Sequence, residues 1–387
     1  MTKLVSITGK AISGEWGFDD DDGNGIPVLR TTNFTNDGVI NFDDVVTRKI
    51  VKHNYRDKLL RKGDIIIEKS GGSDKQPVGR VVFFDGEDNV YLFNNFTGLL
   101  RIKDSKSWFS KYVFYALFAK YHQGATRSYE NRTTGLHNLQ TESYVNNVEI
   151  PCVTYDEQIK ITTILDQVSA IQAARQKQLR ALDELVKARF IEMFGDKDSE
   201  MKPLIVVCGF IDYRGKTPQK SEKGIPLITA KNVKDEGFSV SPQEFIPEEN
   251  YEQVMTRGIP QINDVLFTTE APLGNVCRIP PFLGKFCVGQ RIITMHPKEE
   301  LLTSEYLEFA LRSKEFQNAM WQQSSGSTVK GIRSALLEKI KIPVPSMNLQ
   351  ISFSKLVRQV DYLKSKLRES LTQTETLFNS LMQQYFG

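Results

Sequence analysis

Two pairs of polar loops hold most of the residues that could act on a ligand. The first pair is Glu68-Lys69-Ser70-Gly71-Gly72-Ser73-Asp74-Lys75 and Arg127-Ser128-Tyr129-Glu130-Asn131-Arg132-Thr133-Thr134-Gly135. The second is Thr268-Thr269-Glu270 and Ser324-Ser325-Gly326-Ser327-Thr328-Val329-Lys330-Gly331-Ile332-Arg333. Arginine and lysine suit phosphates and guanine edges, asparagine and glutamine suit adenine, and serine and threonine serve either. Glycines among them let backbone approach a surface closely. These residue types point to nucleic-acid binding, with Lys69, Ser70, Lys75, Arg127, Arg132, Thr133, Thr269, Ser327, Thr328, Lys330 and Arg333 as candidate contacts. Thr229 and Lys231, from Gly224-Ile225-Pro226-Leu227-Ile228-Thr229-Ala230-Lys231-Asn232, join them. For each residue the competing reading is an ordinary solvated loop.

Other chemistries find little support. There is no GxxxxGK[ST] phosphate loop and no GxGxxG after a strand. Asn94-Asn95-Phe96 approaches the [NDS]PP[YFW] motif of amino-methyltransferases but lacks both prolines, and reads as a turn. Asp64 with Glu68-Lys69 is similar to a nuclease carboxylate set, but the spacing is wrong. The repeat of that segment has Asp264 followed by Phe267-Thr268-Thr269. His53, His122, His137 and His296 have no repeat partners, which argues against a shared catalytic base. Cys152, Cys208, Cys277 and Cys287 are scattered without a CxxC, so metal binding is not expected. The expectation is a chain with no catalytic site, metal or cofactor of its own.

The loops sit in a chain that repeats itself. Gly25-Ile26-Pro27-Val28-Leu29-Arg30-Thr31-Thr32-Asn33 is echoed from Gly224 to Asn232 at an offset of 199, and Gly38 then falls on Gly237. Lys62-Gly63-Asp64-Ile65-Ile66 is echoed by Ile262-Asn263-Asp264-Val265-Leu266, and Pro77-Val78-Gly79 by Pro272-Leu273-Gly274. At the ends the offset is 192: Ile150-Pro151 with Ile342-Pro343, Gln158 with Gln350, and Phe194-Gly195 with Phe386-Gly387. A period this long marks a duplicated domain rather than a solenoid. Short strand-like runs, such as Asp64-Ile65-Ile66-Ile67 and Asp264-Val265-Leu266-Phe267-Thr268, alternate with turns. One aromatic helix per copy, Trp108 to Phe118 and Ser304 to Leu311, completes an α+β domain. The aromatics fall at helical spacing and belong to the core.

Between and after the copies lie two long helices. Glu157 to Phe194 lacks proline and glycine, Thr154-Tyr155-Asp156-Glu157 fits a capping box, and Gly195 fits a stop. The second cap is weaker, with Ser346 and Leu349 in those places. Leu356, Val360, Leu363, Leu367, Ser370, Thr374, Leu377 and Leu381 follow a coiled-coil seam, matched by Ile164, Val168, Ile171, Arg175, Gln178, Leu182, Leu185 and Arg189. The seam predicts that the helices pair with each other, although each could instead pack on its own domain. An antiparallel pair makes an internal pseudo-twofold repeat, and that arrangement is expected. The plan is a domain at residues 1–154, a helix at 155–196, a domain at 197–346 and a helix at 347–387.

A net charge of +3 does not by itself announce a nucleic-acid binder, so basic groups must be concentrated on loops. No apolar run approaches a membrane span, and the start Met1-Thr2-Lys3-Leu4-Val5-Ser6 has no signal pattern; a cytoplasmic protein is expected.

The residues resemble the type I restriction–modification specificity subunits over the whole chain. The resemblance rests on the two-copy layout, on Gly215-Lys216-Thr217-Pro218 before Gly224-Ile225-Pro226, and on the Ser325 to Ile332 loop. Ile150-Pro151 through Asp156-Glu157-Gln158, leading into the helix, is its strongest part. The second copy lacks the glutamate, and the first has Ser13-Gly14-Glu15-Trp16-Gly17 where GxTP is expected. The resemblance implies two target recognition domains, each reading half of a split double-stranded DNA site. The helices would set the gap and dock two modification methyltransferase subunits. S-adenosylmethionine, ATP and Mg²⁺ would belong to those subunits and to restriction subunits that carry motor and nuclease. A stand-alone DNA-binding regulator and a cryptic nuclease are the alternatives.

Overall fold

A computed structural model describes residues 1–133, 136–195, 199–215, 218–326 and 329–387, without the side chains of Arg132 and Thr133. The chain divides into two compact units, Met1–Arg175 with Ser370–Gly387, and Gln176–Glu369.

Each unit contains the same sheets. In the first, strands Ile12–Ser13, Thr97–Leu100, Ile65–Glu68 and Val81–Phe83 form an antiparallel sheet in that order. In the second the order is Cys208–Asp212, Ile292–Pro297, Val265–Thr269 and Leu273–Arg278. A smaller sheet places Ile26–Leu29 between antiparallel Val46–Arg48 and parallel Leu92–Phe93. Its counterpart places Ile225–Ile228 between Phe245–Ile246 and Cys287–Val288. The copies diverge at their additions. The first gains a sheet of Glu130–Thr133, Leu136–Leu139 and Ser70–Gly72, and the second a ribbon of Val233–Lys234 with Gly237–Phe238.

The apolar runs in the sequence explain the layering. Ile65 and Ile67 enter one core while Ile66 enters another. Val265 and Phe267 part from Leu266 in the same way. A strand covered on both faces reads as a continuous apolar run. The helices Ser110–His122 and Ser304–Arg312 cover one face. Tyr112 and Tyr306 are fully buried in them and donate to the carbonyls of Pro151 (3.1 Å) and Pro343 (2.8 Å). The Gly25–Asn33 echo has an equally local cause. Asn33 accepts from the Arg30 amide and donates to Asn41 and Asp44 carbonyls, and Asn232 accepts from the Thr229 amide and donates to Ser239 and Pro242.

The long helices run Tyr155–Phe194 and Met347–Phe386, each of 40 residues. Thr154 and Glu157 form the reciprocal capping box, Thr154 N to Glu157 Oε2 at 3.0 Å and Glu157 N to Thr154 Oγ1 at 3.3 Å. In the second unit Phe190 and Phe194 pack on Phe353, while the earlier Asp183 pairs with the later Lys364. The two helices therefore run antiparallel there. In the first unit Leu165 shares a core with Met382 and Phe386.

The buried stripe keeps part of the expected seam and moves alternate positions by one residue. Val168, Leu182, Leu356, Val360 and Leu367 are buried or half-buried, but Ile164, Ile171 and Leu363 are 39%, 43% and 49% exposed. Leu185 and Leu377 are exposed as well. The covered positions beside Val168 and Leu182 are Leu165, Gln172, Leu179 and Val186; beside Val360 and Leu367 they are Val357, Lys364 and Leu371. Spacings of 3,4 and 4,3 share every second position. Both sides of the shared line are partly apolar, so the pattern alone does not choose between them. The globular copies choose, because Phe353 and Val357 complete the second unit's core. Leu363→Lys is therefore expected to change stability by less than about 0.5 kcal/mol, whereas Val360→Ala should cost about 2 kcal/mol. Urea midpoints compare them, and a large loss from Leu363→Lys would restore the original seam.

Among the described residues no helix is long and apolar enough to cross a membrane.

Candidate nucleic-acid interface

Three backbone hydrogen bonds, repeated in both copies, gather the polar segments. In the first copy Asn94 N donates to Leu29 O (2.9 Å), Lys69 N to Phe96 O (2.8 Å) and Leu139 N to Lys69 O (2.8 Å). In the second, Gly289 N donates to Ile228 O (2.7 Å), Thr269 N to Arg291 O (3.0 Å) and Ile332 N to Thr269 O (3.1 Å). Lys69 and Thr269 are thus bonded on one side to a two-residue turn and on the other to Leu139, on the strand that follows the first polar loop, or to Ile332 within the second. The turns are Asn95–Phe96 and Gln290–Arg291.

In the first copy this arrangement opens a cleft of about 600 Å³, lined by Lys69, Ser70, Asn95, Phe96, Asn138 and Asn146 among others. The Lys69 ammonium donates to Ser13 Oγ at 2.9 Å, and burial, with the nearby charge of Lys58, lowers its pKa. Lys75 and Arg127 lie outside the cleft lining and are exposed; Arg127 reaches the Asp74 carbonyl at 3.5 Å. Arg132 and Thr133 lie on the strand Glu130–Thr133, but their side chains are outside the described residues.

In the second copy Lys330 and Arg333 are exposed, while Ser327 and Thr328 lie outside the described residues. The Arg214 guanidinium, fixed by Asp212, donates to Ile332 O at 3.2 Å and ties the segment before Pro218 to this loop; Lys216 and Thr217 are outside the described residues. Two candidates prove to be framework. Thr269 is 2% exposed, and its hydroxyl donates to Arg291 O at 3.3 Å. The Thr229 hydroxyl is bonded to Asn232 Oδ1 at 3.1 Å. Lys231 is exposed but shares Glu244 with Lys220.

The carboxylates that were similar to a nuclease set are framework too. Asp64 accepts from the Arg61 amide and is clasped by Arg101 at 2.8 and 2.6 Å. Asp264 accepts from the Gln261 amide and pairs with His296 at 2.6 Å. Burial raises the pKa of Asp264 against the opposing pull of these partners. Glu68 is 2% exposed and held by Arg80 at 3.0 and 2.9 Å. Among the described residues no His, Cys, Asp and Glu cluster could hold a metal ion.

Sequence reasoning missed the equivalence of the two turns. Asn94-Asn95-Phe96 read only as a turn, and Gln290-Arg291 shares no residue type with Asn95-Phe96, so no echo marked the pair. Their equivalence emerges only from the backbone bonds.

A family model described as the type I restriction modification DNA specificity domain matches residues 3–182 and 205–373. The chain is 22% identical over 362 residues to the putative type I restriction enzyme MjaX specificity subunit of Methanocaldococcus jannaschii, covering 88% of this chain and 80% of that one. It is 20% identical over 378 residues to the MjaVIII specificity subunit of the same organism, covering 88% and 82%. Its fold is similar to the crystal structure of a type I restriction–modification S subunit from M. genitalium, with a TM-score of 0.57, 16% identity, and 100% and 95% of the two chains covered. A second structure, from a study of assembly and conformational transition in the type I system, aligns with a TM-score of 0.54 at 15% identity, covering 100% and 96%.

Proposed function

Because the chain belongs to the type I restriction–modification DNA specificity family, we propose that it reads a split, asymmetric site on double-stranded DNA, one half-site per globular copy. One observation carries this reading: the same three backbone bonds frame a polar cluster in both copies, and the side chains within the frames differ. Equal frames with unequal side chains suit two different half-sites; a protein holding one partner twice would present like side chains.

Within this reading the recognition domains are residues 1–154 and 197–346, and the long helices at 155–196 and 347–387 fix the spacing. A helix of 40 residues is about 60 Å long, roughly 18 base pairs at the 3.4 Å rise of duplex DNA. The whole site is shorter than this where the reading heads reach inward. Ile164, Ile171, Leu185, Leu363 and Leu377, exposed along the helices, supply apolar surface for two methyltransferase subunits. Restriction subunits would join that assembly. The chemistry of methyl transfer and cleavage resides in those partners.

Selection from a random duplex library tests the reading. The full chain with its methyltransferase partners is expected to return two short motifs with a spacer of fixed length. Replacing residues 197–346 by the equivalent domain of another specificity subunit should change one motif only, and one heptad added to each long helix should lengthen the spacer. A single continuous motif, or a freely varying spacer, would leave the stand-alone regulator as the better description.

A further inference from the structure

We propose that the turns Asn95–Phe96 and Gln290–Arg291 choose the bases, the first at an A·T pair and the second at a step containing guanine. This rests on the DNA-reading function argued above. The turns are the points where frame and side chain separate most cleanly. Asn94 and Thr97 flank the first turn and are 4% and 0% exposed, while Phe96 between them is 52% exposed. Thr97 N and Oγ1 both donate to Asn94 O, at 3.1 and 2.8 Å, which closes the turn. In the second copy Gly289 and Ile292 are buried on either side of Gln290 and exposed Arg291. Strands on both sides and the Lys69 or Thr269 amide hold each backbone, so the tip residues can change without moving it. A reading group gains precision from a rigid support.

The chemistry at the tips differs in a definite way. An asparagine amide matches the N6 and N7 of adenine, and an aromatic ring beside it matches the thymine methyl. Gln290 offers the longer amide for adenine. Arg291 offers the guanidinium that pairs with O6 and N7 of guanine. The Glu270 carboxylate lies 3.1 Å from Arg291 Nε, which orients the group. Lys330 and Arg333, exposed on the adjoining loop, carry charges that suit phosphates, contacts that position a protein without reading sequence.

The experiment is selection of random-sequence duplexes by the full chain with its methyltransferase partners at one fixed salt concentration. Asn95→Ala is expected to relax one A·T pair in one half-site by roughly tenfold or more, with the other half-site and the affinity for non-specific DNA unchanged. Arg291→Ala should relax one G·C pair in the other half-site. Asn95→Gln combined with Phe96→Arg should bring guanine into the first half-site. Lys330→Ala provides the contrast, weakening all sequences alike and flattening the salt dependence. The altered tips lie at the surface, so melting temperatures should match the parent and report any folding loss. If the parent selects a split site and every turn variant selects the same one, or loses affinity uniformly, the assignment of the turns is wrong. If the parent itself selects no split site, the functional reading fails first.

Discussion

Arg278→Met is expected to destabilise the second unit by about 4 kcal/mol at neutral pH, read as a fall in the denaturant midpoint. The Arg278 guanidinium stands 2.6 Å from Glu308, 3.4 Å from Glu305 and 2.6 Å from Asp361. One side chain thus joins the strand Leu273–Arg278, the helix Ser304–Arg312 and the second long helix. The Glu305 and Glu308 side chains are only 2% and 8% exposed. Burial disfavours their charge, and Arg358 and Arg278 for Glu305, Arg312 and Arg278 for Glu308, overcome it, so both pKa values fall below the ordinary range. Taking away Arg278 leaves two buried carboxylates with one arginine each. The sign of the pH dependence follows. A depressed carboxylate pKa contributes stability above the unfolded value, and that contribution is lost as pH falls through the folded value. The penalty of Arg278→Met should therefore be largest near neutrality and shrink below about pH 4.5, where the carboxylates protonate. A loss of equal size at all pH values would point to packing instead of charge.

The first unit makes the corresponding attachment with its charges reversed. Lys111 pairs with Asp166 at 2.9 Å, where Glu305 pairs with Arg358 at 2.8 Å. The offsets between these partners are 194, as for Tyr112 and Tyr306, and 192, as for the helix ends of the repeat. In a mispaired fold, with each globular copy on the other's helix, Lys111 would meet Arg358 and Glu305 would meet Asp166. Like charges there oppose the exchange that two similar domains invite. Tyr115 strengthens the native choice, donating to Asp166 at 2.6 Å.

The same comparison shows what could be read from sequence and what could not. The repeat, the helix ends and the aromatic helices were legible because caps, glycine stops and buried rings are local and keep their spacing. Gly25–Asn33 stood out because its asparagine makes a self-contained turn. The seam was misplaced because Leu363 and Leu377 are as apolar as any core residue, while the covered Lys364 is masked by its charge. Its partner Asp183 cannot be seen from its own helix. Thr269 read as a loop hydroxyl, yet its hydroxyl closes the frame around the Arg291 carbonyl. The turns at Asn95 and Gln290 were invisible as a pair, since only backbone bonds to strands distant in sequence make them equivalent.

Gln158 and Gln350 mark the strongest agreement between the repeat and the contacts. Gln158 accepts from Phe109 N at 2.8 Å and donates to Ser107 O and Val153 O at 3.0 and 3.2 Å. Gln350 accepts from Thr303 N at 2.9 Å and donates to Leu301 O and Pro345 O, both at 2.9 Å. Each glutamine therefore ties the start of a long helix to the backbone entering the aromatic helix of its own copy, and they are 1% and 0% exposed. Only a side chain with both an acceptor and a two-proton donor satisfies all three groups; glutamate lacks the donor and leucine lacks both. Gln350→Leu is expected to cost about 3 kcal/mol, since the apolar replacement leaves one buried N–H and two carbonyls without partners. Gln158→Leu should cost a similar amount in the first unit. Amide exchange provides the local readout: Thr303 N–H in one variant and Phe109 N–H in the other should lose protection, each without a change in its counterpart. Unchanged midpoints with unchanged exchange would mean that the helix starts are held by their apolar contacts alone, and that the matching glutamines at an offset of 192 have no structural role.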